Sequence, residues 1–262
     1  GRRMRGETLL LTDVDAHVAR FQGPPFVYGF TQVGSGCGVV SAGSCVVADQ
    51  AAYWMGQNGF FVYDGRVQPL RSAVGDFIFE NLNVSQRSKV VGVLNSQFSE
   101  VVWFYPSTGS TENDSYVSYN YMEGHWQVGT LSRTAGFDTG TFVYPNYVDA
   151  TGIIYEHEVG YAYDSDTEVF AESGPIQLGN GDRMMVAKSL IPDEKTQGDV
   201  TATFKTRFFP NGTESSFGPF DMANPTSVRF QGRQVQMRIT GNTAASWRVG
   251  TMRLDVVEGG RR

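Results

Sequence analysis

Two cysteines and three histidines are all that this 262-residue chain offers of the side chains that most readily bind zinc or pair as nucleophile and base. A local zinc motif is excluded, because structural zinc takes four such ligands at close spacing. A disulfide framework of the kind that staples small secreted domains is excluded as well. Cys37 and Cys45 flank a stretch of small residues and valines, Gly38 to Ser44. They can face each other across a hairpin or sit as two buried thiols, and geometry decides between the two. No apolar run reaches the ~20 residues of a membrane-spanning helix, and no signal-peptide pattern is visible. The Ala/Leu/Glu/Lys runs of helical bundles are missing. Charge is sparse at 18% of residues, with 27 acidic against 21 basic and a net charge of −6. That balance disfavours broad nucleic-acid binding. The basic clusters, Arg2-Arg3 with Arg5 and Arg261-Arg262, lie at the ends and read as solvated termini.

What the chain has in quantity is glycine, 31 residues, and aromatic side chains, 13%. With 40% hydrophobic residues this is the composition of an all-β protein with frequent turns. Phe60-Phe61-Val62-Tyr63-Asp64-Gly65-Arg66-Val67 reads as a hairpin, with Asp-Gly supplying the positive φ of a tight reversal. Ser118 to Trp126 repeats the pattern around Glu123-Gly124, and the repetition suggests blades. Strands are expected at Thr8–Asp13, His17–Phe21, Phe26–Thr31, Cys45–Asp49, Ala52–Met55 and Phe60–Tyr63. Lys89–Leu94, Glu100–Tyr105, Tyr116–Tyr121 and His125–Val128 make the content of one four-stranded propeller blade. Thr141–Tyr144 and Gly152–Glu158 are expected to add strands. One short helix is expected near residues 72–82, from apolar positions 74, 77, 78 and 82 with Ser72 as N-cap. After Ser173-Gly174-Pro175 the strands lengthen and alternate regularly, as in Val200, Ala202, Phe204 and Thr206. The expectation is therefore a β-propeller portion over 1–172, incomplete and lacking blades on its N-terminal side, followed by a β-sandwich-like domain over 173–262.

No constellation compels catalysis. His157 lies in Tyr155-Glu156-His157-Glu158, and strand alternation would put both glutamates on the face opposite the imidazole. His17 and His125 have no local partners of catalytic type. Glu112-Asn113-Asp114 and Asp164-Ser165-Asp166 hold oxygen ligands, but without the spacing of a calcium loop. Gly34 to Gly38 lacks the lysine and helix of a phosphate loop, and Ser41 and Ser44 lack a nucleophile elbow. In Tyr116–Tyr121 the residues Val117, Tyr119 and Tyr121 share an apolar face, and Tyr116, Ser118 and Asn120 a mostly polar one. The aromatic face suits packing between sheets better than sugar stacking. No catalytic, cofactor-binding or metal-binding residue is assigned.

Gly23-Pro24-Pro25-Phe26, the run Ala52 to Gly65 and Val102-Trp103-Phe104-Tyr105-Pro106-Ser107 with Glu112-Asn113-Asp114 resemble tail proteins of short-tailed bacteriophages. So do Tyr155 to Glu158, Gly179 to Arg183 and Trp247 to Asp255. These are the proteins described as tail nozzle, tail tubular or packaged-DNA stabilisation proteins. The resemblance runs from about residue 23 to the end and rests on structural strings, not catalytic ones. It implies a propeller joined to sandwich elements, and a ring of identical subunits with a hexamer as the expected number. It further implies contacts with a tail adaptor or portal-proximal proteins, DNA passing through the lumen, and a virion component assembled in the host cytoplasm with both cysteines reduced. On this reading the chain is a structural component, not an enzyme, and uses no cofactor. Glu112–Asp114 or Asp164–Asp166 are the expected acidic lining of the channel, which would repel phosphate. The alternatives are a carbohydrate- or receptor-binding propeller and a secreted glycoside hydrolase.

Overall fold

The computed structural model describes residues 1–161, 168–179, 183–241 and 245–260. The described chain is all-β apart from one short α-helix and one 3-10 segment. It divides into two units, Gly1–Val159 and Gly160–Arg262. The Gly174-Pro175 break falls inside the second of these.

The first unit is a succession of antiparallel sheets, each built from neighbouring strands in chain order. Sheet 1 holds β1 (Arg2–Arg3), β2 (Thr8–Leu11), β3 (Ala16–Phe21) and β4 (Tyr28–Gly34). Sheet 2 holds β5 (Cys45–Ala48), β6 (Ala51–Met55), β7 (Phe60–Tyr63) and β8 (Val67–Leu70). Pro69 is accommodated because β8 is an edge strand. Helix α1 (Gly75–Asn81) and a 3-10 turn over Val84–Lys89 lead into sheet 3. That sheet holds β9 (Val91–Asn95), β10 (Glu100–Tyr105), β11 (Ser115–Asn120) and β12 (Trp126–Thr130). Sheet 4 has three strands, β13 (Ala135–Phe137), β14 (Asn146–Val148) and β15 (Ile154–Glu156).

Consecutive sheets share cores, as propeller blades do. Leu9 and Val18 of sheet 1 pack with Trp54 and Tyr63 of sheet 2. Met55 and Phe60 of sheet 2 pack with Trp103 and Val117 of sheet 3, and Ile78 of α1 joins them. Val93, Val102 and Phe104 of sheet 3 pack with Tyr147 of sheet 4. Phe60 is at the centre of the second core, with its ring 5.1 Å from Trp103 and 4.6 Å from Trp126. Burial on this scale is worth about 2–3 kcal/mol for such a side chain. Two indoles also tie blade to blade. Trp54 Nε1 donates to Cys37 O at 2.8 Å, and Trp103 Nε1 donates to Ser44 O at 2.7 Å.

The second unit is a sandwich. One sheet contains β16 (Val169–Glu172), β17 (Ile176–Gln177), β19 (Val200–Arg207), β20 (Ser215–Asp221) and β22 (Gln234–Gly241). The other contains β18 (Met185–Ile191), β21 (Thr226–Gly232) and β23 (Arg253–Glu258). Ala202, Phe204 and Ile239 of the first meet Ala187, Leu190, Val228 and Phe230 of the second in one core. In β19 the burial alternates residue by residue, as a one-sided strand requires.

Several local expectations are corrected. The helix begins at Gly75, and Ser72 does not cap it: Ser72 Oγ accepts from Val74 N at 3.2 Å, bracing the entry turn instead. Thr141–Tyr144 is not a strand, and Asn146–Val148 takes that place in sheet 4. Lys89 ends the 3-10 turn, so the strand of sheet 3 starts at Val91. The alternation over Trp247–Val257 predicts one long strand, but only the part from Arg253 onward is extended in a sheet.

Candidate functional site

Register puts one polar set together between sheets 3 and 4. Glu100 pairs with Asn95, and Ser118 pairs with Val102 and Gln127, so these residues share the face of sheet 3 that also carries Val102 and Phe104. That is the face sheet 4 covers with Tyr147. The cavity left between the two sheets is about 180 Å³ and is lined by Asn95, Glu100, Ser118, Tyr147, His157 and Glu158 among others. The mostly polar face of β11 is thus turned toward sheet 4, with Ser118 buried and Tyr116 and Asn120 half-buried.

Strand alternation fails where it matters most. β15 ends at Glu156, and Glu158 adopts φ 63°. A non-glycine residue in that left-handed region costs of order 1–2 kcal/mol. The turn brings Glu158 to the same cavity as His157, where regular alternation would have separated them. Asn95 Nδ2 donates to Glu158 Oε1 at 3.1 Å, and Gln127 Nε2 donates to Glu100 Oε1 at 2.9 Å. Burial, and then the nearby charge of Glu158, push the Glu100 carboxyl above its ordinary range. The His157 ring lies 4.2 Å from the Tyr147 ring, and its Nε2 accepts from Arg133 Nε at 2.9 Å. Burial first and the guanidinium second lower the imidazole to about 4, so it is neutral near pH 7. Three buried polar atoms of residues lining this cavity have no hydrogen-bond partner among the described residues: Asn95 Oδ1, Ser118 Oγ and Tyr147 Oη. Sequence reasoning missed this group because it depends on the register of β9 to β11 and on one turn. The signal available was the polar alternation Tyr116, Ser118, Asn120.

The other candidates are structural. Asp114 Oδ1 accepts from Ser107 N at 2.8 Å and Oδ2 from Ser107 Oγ at 2.7 Å. Asn113 Nδ2 donates to the carbonyls of Lys89 and Arg133, and Glu112 pairs with Lys89. The loop 112–114 is therefore a clasp that ties the β10–β11 hairpin to the 3-10 turn and to the chain after β12. Asp164–Asp166 lies outside the described residues. No group of three or more His, Cys, Asp and Glu side chains with metal-holding geometry occurs among the described residues. Ser41 Oγ donates to Val90 O and Ser44 Oγ to Met55 O, so neither is poised as a nucleophile. Cys37 and Cys45 are free and buried, and both belong to the core between sheets 1 and 2. His125 lies beside Glu123 in an exposed turn, its Nδ1 3.3 Å from a carboxylate oxygen. A larger cavity of about 580 Å³ lies in the second unit against Val186, Phe217 and Phe230, with Lys188 and Arg229 at its wall. No helix among the described residues is long and apolar enough to cross a membrane.

No protein-family model and no curated protein matches the chain. Among solved structures it is similar to an exo-β-1,3-galactanase from Phanerochaete chrysosporium, crystallised with galactose. The TM-score is 0.32 at 12% identity, over 93% of this chain and 74% of that one. The finding runs against the expectation that the chain is not an enzyme, since the solved protein it is similar to is one. A likeness at this level transfers no activity and no substrate.

Proposed function

We propose that this chain is a structural component of the tail of a short-tailed bacteriophage, a subunit that associates with copies of itself into a ring or tube through which DNA passes. The observation that carries the reading is the pair of uncovered faces at the ends of the blade series. On sheet 1 the register places Leu10, Phe21, Tyr28 and Phe30 on the face away from the Leu9 core, and Phe21 and Phe30 are each 68% exposed. On sheet 4, Phe137 and Ile154 lie away from Tyr147, and Phe142 packs against Phe137 with the rings tilted by 45° and 5.5 Å between centroids. Isolated surface aromatics need no explanation, but contiguous ones mark contact surfaces. Arg3, in register with Thr8, adds a cation to the first face, and Glu156 adds a carboxylate to the second. Two different, complementary faces on one subunit favour head-to-tail association, which closes into rings or grows into tubes. The acidic balance of the chain supports a wall that does not hold DNA.

Sedimentation velocity and negative-stain imaging of the purified chain test this. Rings or tubes at micromolar concentration are expected, dispersed to monomers by Phe21→Ser with Phe30→Asp. A wild-type chain that stays monomeric at all concentrations overturns the reading.

A second reading, glycoside hydrolysis, is favoured by one observation: two glutamates, one with its carboxyl pushed up, line the same cavity. It ranks second because about 180 Å³ is below the ~300–1,000 Å³ of typical ligand pockets. Release of nitrophenol from a panel of aryl glycosides, abolished by Glu100→Gln and by Glu158→Gln, is its signature.

A further inference from the structure

We infer that the cavity between sheets 3 and 4 is a binding site for one hard divalent cation of the calcium class, liganded by oxygen atoms of Glu100, Glu158, Asn95 and Ser118. The inference is independent of the tail reading. Its first ground is the unpartnered oxygens. Asn95, Ser118 and Tyr147 are 4%, 1% and 4% exposed, yet Asn95 Oδ1, Ser118 Oγ and Tyr147 Oη have no partner among the described residues. An unsatisfied buried polar atom costs about 1–3 kcal/mol, and three around one cavity call for an occupant that satisfies them together. Asn95 Nδ2 is already committed to Glu158 Oε1, so the carbonyl oxygen is what this side chain has left to offer.

The second ground is charge. Two carboxylates line the cavity, and no ion pair involving Glu100 or Glu158 is formed among the described residues. Glu158 is exposed and solvated, whereas Glu100 is half-buried; ordered water would answer the orphaned atoms but brings no charge to the Glu100 carboxylate. A cation answers both.

The third ground is the chemistry of the donors. The set is all oxygen, two carboxylates with an amide carbonyl and a hydroxyl, which suits a hard ion. The one imidazole at the wall has Nε2 occupied by Arg133, and no thiol reaches the cavity, so a zinc-type ion lacks its preferred ligands. Calcium accepts irregular oxygen cages, whereas magnesium demands near-octahedral geometry and keeps its waters. Tyr147 Oη is placed to bond a water carried by the ion. The left-handed turn at Glu158 also gains a purpose, because it delivers the second carboxylate.

Chelator-treated protein titrated with calcium chloride in a calorimeter, and with terbium chloride by emission sensitised through Tyr116 and Tyr147, tests the site. Calcium is expected to bind once per chain and raise the melting temperature, and terbium to emit and be displaced by calcium. Glu100→Gln and Glu158→Gln should each weaken binding by about tenfold or more, while Glu123→Gln in the exposed turn should not. Near-ultraviolet circular dichroism identifies any variant that has lost its packing, and the wild-type titration stands without the variants. No calcium heat and no terbium emission from the wild type overturns the inference. Binding that survives in a folded double variant overturns it too.

Discussion

Arg238 sits directly opposite Glu172 across the β16–β22 pair, and its Nη1 donates a 2.8 Å hydrogen bond to Glu172 Oε2. The same carboxylate accepts from Lys205 Nζ at 2.7 Å, and the guanidinium carbon of Arg238 stands 3.6 Å above the Phe170 ring. A cross-strand ion pair, a second cation and an aromatic platform thus converge on one face of the second unit. The Lys205 hydrogen bond foremost, then that from Arg238, holds the Glu172 carboxyl below its ordinary 4.5. A carboxyl lowered in the folded state binds fewer protons there than when unfolded. Its stabilisation is therefore full above about pH 4.5 and is lost as pH falls through the folded value. Glu172→Gln should cost about 1 kcal/mol at pH 7, the low end for charge-assisted bonds because the cluster is partly hydrated. Urea midpoints of the variant should then fall less steeply than those of the wild type between pH 5 and pH 3. Arg238→Lys should recover only part of the wild-type stability, since an ammonium can neither fork nor stack as a guanidinium does.

Gly92 packs against sheet 2 with no room for a side chain. Its N–H donates to Gly43 O at 3.0 Å, and it pairs across the strand with Trp103, whose indole donates to Ser44 O. A Cβ there would meet Val46 Cγ2 at 2.5 Å and Ser44 O at 3.0 Å. The backbone oxygen cannot step aside without opening the blade-to-blade contact. Gly92→Ala should destabilise by about 1–3 kcal/mol, the range for overpacked cores. Equilibrium urea unfolding checks this, with Gly109→Ala as a comparison in which the cost comes from positive φ (87°) with nothing within 4 Å of the new methyl.

The architecture was legible wherever local chemistry and sheet position agree. Phe60 to Val67 reads as a hairpin because Asp64-Gly65 turns it, and the β7–β8 register centres on that turn, with Gly65 at φ 116°. Tyr63 is buried, and Phe61, Tyr119 and Tyr121 pack against blade-to-blade cores, as a repeated blade demands. The sandwich strands read clearly because only one face of each is buried. Legibility ended where a second element decides. β20 was not anticipated; it carries Gly218 and Pro219, which weaken a strand signal but which an edge strand tolerates. Ser118 was legible only as a member of a mostly polar face, because nothing in β11 announces that sheet 4 will cover it. Glu158 looked opposed to His157 because alternation cannot foresee a left-handed residue immediately after the strand. The candidate site was therefore almost invisible in the sequence: its members are spread from Asn95 to Glu158, and their meeting depends on register.

The two cysteines give the last prediction. Cys37 and Cys45 both belong to the core that joins sheets 1 and 2, at 2% and 5% exposure, and they are not bonded to each other. Burial pushes the Cys45 thiol to about 11, against a smaller opposing pull from Arg2, and burial likewise raises Cys37. Since the thiolate is the reactive form, both groups are doubly protected, by access and by protonation. Iodoacetamide at pH 8 should modify neither residue in the native protein on a timescale of minutes, and both quickly in denaturing urea without any reductant. Mass spectrometry of the intact chain counts the adducts. Rapid native labelling would mean that the core between sheets 1 and 2 opens readily. Failure to label in urea without reductant would mean that the two sulfurs are bonded. The free-thiol arrangement requires slow labelling when folded and two adducts when unfolded, and the rate of the slow phase then reports how often the first two blades separate.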